Sequence, residues 1–212
     1  MKIETENYKA SRSYLPEAGQ HIIAHQQEEQ IVVYQAYNPS IASFAVANQR
    51  LGGNAYSYNR MSWIKPNFLW MMYRCGWGEK ENQERVLALW INKSVFEEIR
   101  ENAVLSSYNP KYYPNQEVWK NELAKKEVRL QWDPDHDPRG NKLTRRAIQL
   151  GLKGKMLEQF GKHQLNLIED ITDFVQEQKS LLDKGDSDQL SVPVERVYNI
   201  DNPVLKERIG IE

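Results

Sequence analysis

The run from Arg60 to Gly78 constrains the fold most, because it concentrates large aromatic and apolar side chains that favour burial. Seven-residue spacing keeps side chains near one face of a helix, and the tryptophans of this run follow it: Trp63, Trp70 and Trp77. Pro66 suits the first turn of a helix and Gly76 suits its end, so the run predicts a short helix over about residues 66 to 75. Most of its large side chains are expected to belong to the core.

The rest of the chain contains both strand and helix patterns. Residues that are β-branched, aromatic or alternating predict strands at 30–37, 84–91, 127–132, 146–152 and within 190–200. Apolar residues at spacings of three and four predict helices at 40–50, 92–102, 114–126 and 155–184. Since these elements are mixed without strict βαβ alternation, we expect an α+β fold, with a mixed or antiparallel sheet flanked by helices.

Length and composition fit one compact domain. A chain of 212 residues buries roughly 70% of its unfolded surface, which is enough for one sizeable core. Residues 1–27 are polar and loop-like, so we expect an N-terminal polar segment there, a globular domain over 28–205 and a tail over 206–212. The net charge of −1 argues against a uniformly basic surface for polyanions.

The cysteine content and the hydropathy pattern suggest where the protein works. Cys75 is the single cysteine, which excludes an intrachain disulfide framework and is typical of a reducing compartment. No apolar run approaches the roughly 18 residues needed to span a bilayer, and the first residues form no apolar leader. We therefore expect a soluble cytoplasmic protein that does not associate with membranes.

Cations are interleaved with the aromatic residues of the 60–78 run, and this mixture suits a nucleotide or a single-stranded nucleic acid. Aromatic faces stack on bases, and cationic groups neutralise phosphate. The candidate ligand-binding residues of this run are Arg60, Trp63, Lys65 and Arg74. The alternatives are that the aromatic side chains only pack in the core, or that exposed ones anchor a protein partner.

A second basic stretch, residues 139–155, contains no acidic residue. It is a candidate for binding phosphate, RNA or single-stranded DNA, and its first cations are Arg139, Lys142, Arg145 and Arg146. The alternative is a solvated loop followed by the start of a helix. The acidic residues just before it, within 133–140, are expected to form a loop. Because that loop lacks a second histidine and the features of an EF-hand, we predict no metal site.

Several runs of the sequence together resemble the family called domain of unknown function 4291. They are YQAYNPSIASFAVANQ (34–49), RMSWIKPNFLWMMYRCGW (60–77), QWDPDHD (131–137) with RRAIQLGLKG (145–154), and VPVERVY (192–198). The resemblance spans about residues 30 to 200, and the tryptophan-rich run is very specific. It implies a compact single-domain protein and carries no established activity.

A weaker similarity, of fold alone, links the strand at 31–37 and the following helix to the opening elements of ADP-ribosyltransferase-like domains. Those domains orient NAD with a histidine or arginine on the first strand, and they carry a serine or tyrosine on a middle element and a glutamate or glutamine on a late strand. The similarity implies Gln35 for the first position, Tyr58 or Ser62 for the middle one, and Glu195 for the catalytic carboxylate.

The leading hypothesis is therefore an NAD- or nucleotide-binding, ADP-ribosyltransferase-like domain. Since the first-strand position carries no charge, Arg12, Arg60 or Lys65 would contact the pyrophosphate. Glu195 would stabilise the oxocarbenium-like sugar as the nicotinamide bond breaks, with Tyr58 or Trp63 as the stacking wall. For Glu195 the alternative is an exposed edge-strand glutamate paired with a cation. The alternative functions are an RNA or single-stranded DNA binding protein and a non-catalytic protein-interaction module.

Overall fold

Two β-sheets and their flanking helices make up most of the chain, of which this computed structural model describes residues 2–200, 207, 210 and 211. The strands, numbered in chain order, are β1 (Thr5–Asn7), β2 (Ile23–Gln27), β3 (Gln30–Tyr37), β4 (Ser62–Ile64), β5 (Arg85–Asn92), β6 (Ala103–Leu105), β7 (Val128–His136), β8 (Lys142–Leu152), β9 (Leu167–Asp170), β10 (Ser191–Pro193) and β11 (Glu195–Val197). The helices are α1 (Tyr8–Arg12), α2 (Pro39–Asn48), α3 (Phe68–Cys75), α4 (Lys93–Glu101), α5 (Gln116–Lys125), α6 (Gly154–His163) and α7 (Thr172–Lys184).

The sheets differ in size and are joined at one point. The larger has the strand order β11-β2-β3-β5-β9 and is antiparallel throughout. The smaller has the order β4-β8-β7-β6 and is antiparallel except for the β6–β7 pair, and β1 pairs with β10 separately. Tyr34 and Lys65 exchange backbone hydrogen bonds of 2.7 and 3.2 Å, which join β3 to the residue after β4. The prediction of a single α+β domain is confirmed.

The central strands of the larger sheet are buried on both faces. Along β3, Val33 packs into a core that includes side chains of α2, α4 and the smaller sheet, whereas Val32 and Tyr34 pack into a second core with α3 and α7. Strands buried on both faces carry apolar residues at successive positions rather than at alternate ones. The predicted strands at 30–37 and 84–91 are confirmed as β3 and β5.

Helix α3 is capped at both ends. The Asn67 side chain accepts a hydrogen bond from the Trp70 N–H at 2.7 Å, and Gly76 ends the helix in the left-handed conformation, with φ of 59°. The predicted helix at 66–75 is confirmed, although it begins at Phe68 because Pro66 lies before the capping residue. Six of its eight residues are buried, so the core prediction for its large side chains is confirmed too.

The helix predicted over 155–184 is wrong in its middle, where the chain forms β9 between α6 and α7. Ile168 in β9 lies opposite Leu89 in β5, so this segment adds a strand to the larger sheet. The pairing satisfies backbone groups along an edge of β5 that would otherwise lack partners. Ile168 and Ile171 are three residues apart, as in a helix, and local spacing therefore could not reveal the strand.

The acidic loop predicted at 133–140 is a strand as far as His136. β7 continues through this segment because its carboxylates have partners: Asp133 accepts from two glutamine amides, and Asp135 pairs with Arg145. The turn from Asp137 to Gly140 then leads into β8, and its backbone is closed by a 2.9 Å hydrogen bond between these two residues.

The N-terminal region departs from its loop-like prediction. β1, α1 and β2 all lie within residues 1–27, and β2 is an inner strand of the larger sheet. Ile3, Ile22 and Ile23 are buried, so this region contributes to the core. Most of the predicted tail at 206–212 lies outside the described residues. None of the described helices is long and apolar enough to cross a membrane.

Candidate functional site

A cleft of about 530 Å³ lies where β3 and β4 meet α3 and the β7–β8 hairpin. We call it the central cleft. Its lining includes most of the ligand-binding residues suggested by the sequence: Gln35, Arg60, Trp63, Lys65 and Arg74. The cleft volume lies within the range of about 300–1,000 Å³ that is usual for small-molecule sites. Residues from distant parts of the sequence thus converge here.

Lys65 is the unusual group in the central cleft. Its residue is only 4% exposed, and its ammonium makes no hydrogen bond or ion pair with the described residues. Burial, and to a smaller extent the nearby Arg74 cation, lower the pKa of Lys65 to about 8, and the Asp133 carboxylate opposes them. A buried cation without a partner is energetically unfavourable. The free protein therefore holds a charge here that its own residues leave uncompensated.

Two arginines add to this positive charge. Arg60 and Arg74 are exposed and line the same cleft, at the loop before β4 and near the end of α3. In the described part of the chain, neither guanidinium lies within 4.0 Å of a carboxylate. Cations that converge on a concave surface without counter-charges attract anions.

Two glutamines on the β7–β8 hairpin give the cleft a polar wall. Gln131 and Gln149 lie directly opposite each other in the antiparallel register. Each donates its side-chain amide to one oxygen of the Asp133 carboxylate, in both cases at 2.8 Å. Their amide oxygens accept no hydrogen bond from the described residues, so they are available as acceptors. The wall can therefore accept hydrogen bonds from hydroxyl or amino groups of a ligand.

Trp63 and its neighbour Met61 approach this hairpin closely, and a glycine makes the approach possible. A Cβ atom at Gly151 would lie 2.7 Å from the Met61 sulfur and 2.9 Å from the Trp63 ring. Both distances are too short for any larger residue without a shift of the neighbours. Gly151 thus sets how close the β4 side of the central cleft lies to β8.

Gln35 serves the cleft as a structural group. Its amide donates to the Ser62 hydroxyl at 2.6 Å and to the Trp63 carbonyl at 3.2 Å, and its oxygen accepts from the Tyr37 hydroxyl at 2.6 Å. These bonds hold β4 against β3. The Ser62 hydroxyl, which accepts from Gln35, also lies 3.3 Å from the Tyr37 hydroxyl, so Gln35, Tyr37 and Ser62 form one hydrogen-bonded group.

Glu195 lies outside the central cleft and is buried, at 6% exposed. Its carboxylate accepts a hydrogen bond from the Phe68 N–H at 2.8 Å and a longer one, 3.3 Å, from the Asn67 amide. Burial raises the pKa of Glu195 well above its ordinary value, and the bond from Phe68 opposes this. The side chain supports the start of α3. The alternative of an exposed glutamate is therefore wrong, although β11 is an edge strand of the larger sheet.

Tyr58 also lies outside the cleft. Its hydroxyl donates to the Leu51 carbonyl at 2.8 Å, and the Lys162 ammonium lies 4.9 Å from its ring centre. A Cβ atom at Gly161 would be 2.8 Å from the Tyr58 hydroxyl, which shows how closely this ring packs against α6. The structure therefore does not bring Tyr58 to the other residues of the proposed site.

The basic stretch after residue 139 is divided between different environments. Arg145 is buried and forms an ion pair with Asp135 at 2.5 Å, whereas Arg146 donates to the Trp132 carbonyl at 2.8 Å. Arg139 and Lys142 are exposed near the hairpin turn. Because alternate residues of a strand point to opposite faces, these side chains do not form one basic surface.

The tryptophans and Cys75 belong mainly to the interior. Trp70 and Trp77 are 6% and 7% exposed, so neither offers a large hydrophobic anchor at the surface. Burial raises the pKa of the Cys75 thiol, which disfavours the reactive thiolate. No group of three or more histidine, cysteine, aspartate or glutamate residues in the described ranges is arranged to hold a metal ion.

Sequence reasoning missed the glutamines that complete the cleft. Gln83, Gln131 and Gln149 line it, yet a glutamine in a strand or loop carries no motif. The predicted strands at 127–132 and 146–152 contain Gln131 and Gln149, and these strands pair as a hairpin. The sequence does not reveal the register of that hairpin, which places Gln131 opposite Gln149 and brings both amides to the Asp133 carboxylate.

The comparisons with known proteins identify a family and no activity. No curated protein matches the chain. The family model for the domain of unknown function DUF4291 matches residues 21–198, which is most of the sequence. The matched region contains β2 to β11 and every residue that we have named in the central cleft. The chain belongs to the DUF4291 family.

Proposed function

We propose that the protein binds a nucleotide, with the phosphate groups of the ligand in the central cleft. The observation that carries the proposal is the buried Lys65 side chain, which lines a cavity and makes no hydrogen bond or ion pair within the described part of the chain. A phosphate in the cleft would supply the missing counter-charge. Binding would then relieve an unfavourable feature of the free protein, and a charge-assisted hydrogen bond would replace it.

The other groups in the cleft fit the rest of a phosphorylated ligand. Arg60 and Arg74 are positioned to neutralise further phosphate oxygens, since guanidinium groups suit bidentate contacts with phosphate. The amide oxygens of Gln131 and Gln149 fit sugar hydroxyls, which are hydrogen-bond donors. A nucleotide combines both chemical features, and NAD is one candidate because it contains a pyrophosphate and two riboses.

Cleavage of the nicotinamide bond is not part of the proposal. That reaction needs a carboxylate near the sugar, and the Glu195 carboxylate is engaged by Phe68 and Asn67 at the start of α3. Asp133 lies beside the glutamines of the cleft wall, but both of its oxygens accept bonds from their amides. The ADP-ribosyltransferase hypothesis therefore contributes a ligand class and no catalytic step.

Titration calorimetry tests the proposal with four compounds: ADP, inorganic pyrophosphate, NAD and adenosine. We expect ADP and pyrophosphate to bind, and adenosine to bind much more weakly. Lys65→Met keeps the bulk of the side chain and removes the charge, so it should weaken pyrophosphate binding about tenfold or more. Arg50→Gln is the matched control, because Arg50 is exposed and lies outside the cleft.

Two results would overturn the proposal. One is that neither ADP nor pyrophosphate binds the wild-type protein at low salt. The other is that Lys65→Met binds pyrophosphate as well as the wild type does. If ADP binds and NAD does not, nucleotide binding stands and NAD is excluded as the ligand.

A further inference from the structure

A second cavity adjoins the central cleft. It also has a volume of about 530 Å³ and shares part of its wall with the cleft: Tyr37, Arg60, Met61 and Ser62. We call it the side cavity. Because the same residues face both spaces, one ligand with two parts can occupy both. The shared Arg60 and Ser62 lie where those two parts would meet.

The side cavity offers flat aromatic surface. Tyr37 and Tyr56 line it with ring centres 5.9 Å apart and planes inclined at 70°, and Ile41 adds an apolar side. An aromatic and aliphatic pocket of this kind suits a planar, weakly polar group. The central cleft, by contrast, is lined by cations and amides. The two spaces therefore differ in the chemistry that they accept.

Two asparagines supply hydrogen-bonding groups to the side cavity. The Asn38 oxygen accepts from the Ile41 N–H at 2.9 Å, which leaves its amide hydrogens free to donate. The Asn82 side chain makes no hydrogen bond with the described part of the chain. Amide side chains recognise the edges of nucleobases, and they pair with adenine in particular through two hydrogen bonds.

We propose that the side cavity binds the nucleobase of the nucleotide whose phosphates occupy the central cleft. This inference rests on the proposed function of the cleft. Tyr37 and Tyr56 provide the surface against which the base packs, and Asn82 contacts its edge. Ser62 and Arg60 line both spaces and lie at the junction, where the sugar and the first phosphate belong. The ligand is then a nucleoside phosphate rather than a simple phosphate or a sugar phosphate.

The test compares ADP with inorganic pyrophosphate, since the two share the diphosphate and differ by the nucleoside. Base stacking contributes about 1–3 kcal/mol, so ADP should bind the wild-type protein about 5- to 150-fold more tightly. Ile41→Trp fills the side cavity and should abolish this advantage while leaving the pyrophosphate affinity unchanged. Ile41 lies outside the central cleft, so its substitution leaves the cations in place.

A second variant guards against misfolding of Ile41→Trp. Asn82→Gly removes the exposed amide, and glycine tolerates the φ of 62° at this position. It should reduce ADP affinity about fivefold or more without changing pyrophosphate affinity. Asn59→Ala is the matched control, because Asn59 is an exposed asparagine of the loop before β4 that lines neither cavity.

The outcomes separate the two proposals. If pyrophosphate does not bind the wild-type protein, the proposed function fails. If pyrophosphate binds and ADP binds no more tightly, the phosphate site stands and the nucleobase site is wrong. The nucleobase site is also wrong if ADP keeps its advantage in both Asn82→Gly and a folded Ile41→Trp protein.

Discussion

Buried ionisable groups occur in two places beside α3, and their surroundings differ. In one, the Asp135 carboxylate pairs with Arg145, and Glu195 accepts a hydrogen bond from the Phe68 N–H. In the other, Lys65 is buried near Arg74 and makes no hydrogen bond or ion pair with the described residues. Burial alone therefore does not mark a functional site in this protein. The absence of a partner, in a residue that lines a cavity, distinguishes the second region from the first.

The largest effect is expected where the buried Asp135–Arg145 ion pair is broken. Arg145→Met leaves Asp135, which is 0% exposed, without its counter-charge. Removal of one partner from a buried ion pair destabilises a protein by about 3–5 kcal/mol. Urea denaturation measures this loss, and Arg139→Met, at an exposed position of the hairpin turn, is the control, with a change within about 0.5 kcal/mol. If both variants are equally stable, the buried pair is not structurally important.

Stability should also depend on pH, through the buried Lys65. The pKa of Lys65 is lowered by burial to about 8 in the folded state, against 10.5 when the group is unperturbed. Between these values the unfolded chain binds more protons, so the stability of the folded protein rises with pH. The wild type should gain about 3 kcal/mol relative to Lys65→Met from pH 8 to 10.5.

This prediction is measured as a difference between the two proteins. The tyrosines and Cys75 are common to both proteins, so their contributions to the pH dependence of stability largely cancel in this difference. Denaturation curves at half-unit steps of pH give the difference directly. A difference that stays constant across the range would show that Lys65 has its ordinary pKa and that its ammonium has a partner.

A smaller effect is expected at Glu195. Glu195→Ala leaves the buried Phe68 N–H without an acceptor, which costs about 1–3 kcal/mol. Glu195→Gln keeps an oxygen that can accept this bond and should be less destabilising. Both variants should bind ADP as the wild type does, because Glu195 lies outside the central cleft. Loss of ADP binding in a well-folded Glu195→Gln protein would show that Glu195 contributes to ligand binding in the central cleft.

The smallest effect on stability is expected when Arg60, an exposed cation of the central cleft, is replaced. Arg60→Gln should change the free energy of unfolding by less than about 0.5 kcal/mol. Its pyrophosphate affinity should nevertheless fall several-fold, and the salt dependence of binding should weaken, because one phosphate contact is lost. Calorimetry at two salt concentrations measures both, with Arg50→Gln as control. Unchanged affinity and salt dependence would remove Arg60 from the site.

The part of the candidate site that lies within one short stretch of the chain could be predicted from the sequence. Arg60, Trp63, Lys65 and Arg74 lie within one short run, so their residue types and spacing were enough to suggest a common ligand. Helix α3, which contains Arg74, was also predictable, because Gly76 is a local signal for the end of a helix. Cations and caps of this kind can be inferred without knowledge of tertiary contacts.

The partners of the buried charges could not be predicted in the same way. Glu195 and Phe68 are 127 positions apart in the sequence, and no pattern near either residue predicts their hydrogen bond. From the sequence, Arg145 is predicted only as one cation of a basic stretch, because its ion pair with Asp135 is visible only in the structure. Strand β9 was missed for a related reason, since its backbone partner is the edge of β5. Whether a charge is satisfied depends on long-range contacts, and only the folded structure contains them.

The most direct test of the account measures the stability and the pyrophosphate affinity of Lys65→Met together at pH 7. If Lys65 is a buried cation whose missing counter-charge is supplied by a bound phosphate, its removal must raise the stability of the protein and lower its pyrophosphate affinity. We predict that the variant unfolds at higher urea concentration than the wild type and binds pyrophosphate at least about tenfold more weakly. A variant that is less stable than the wild type, or that binds pyrophosphate equally well, would contradict the account.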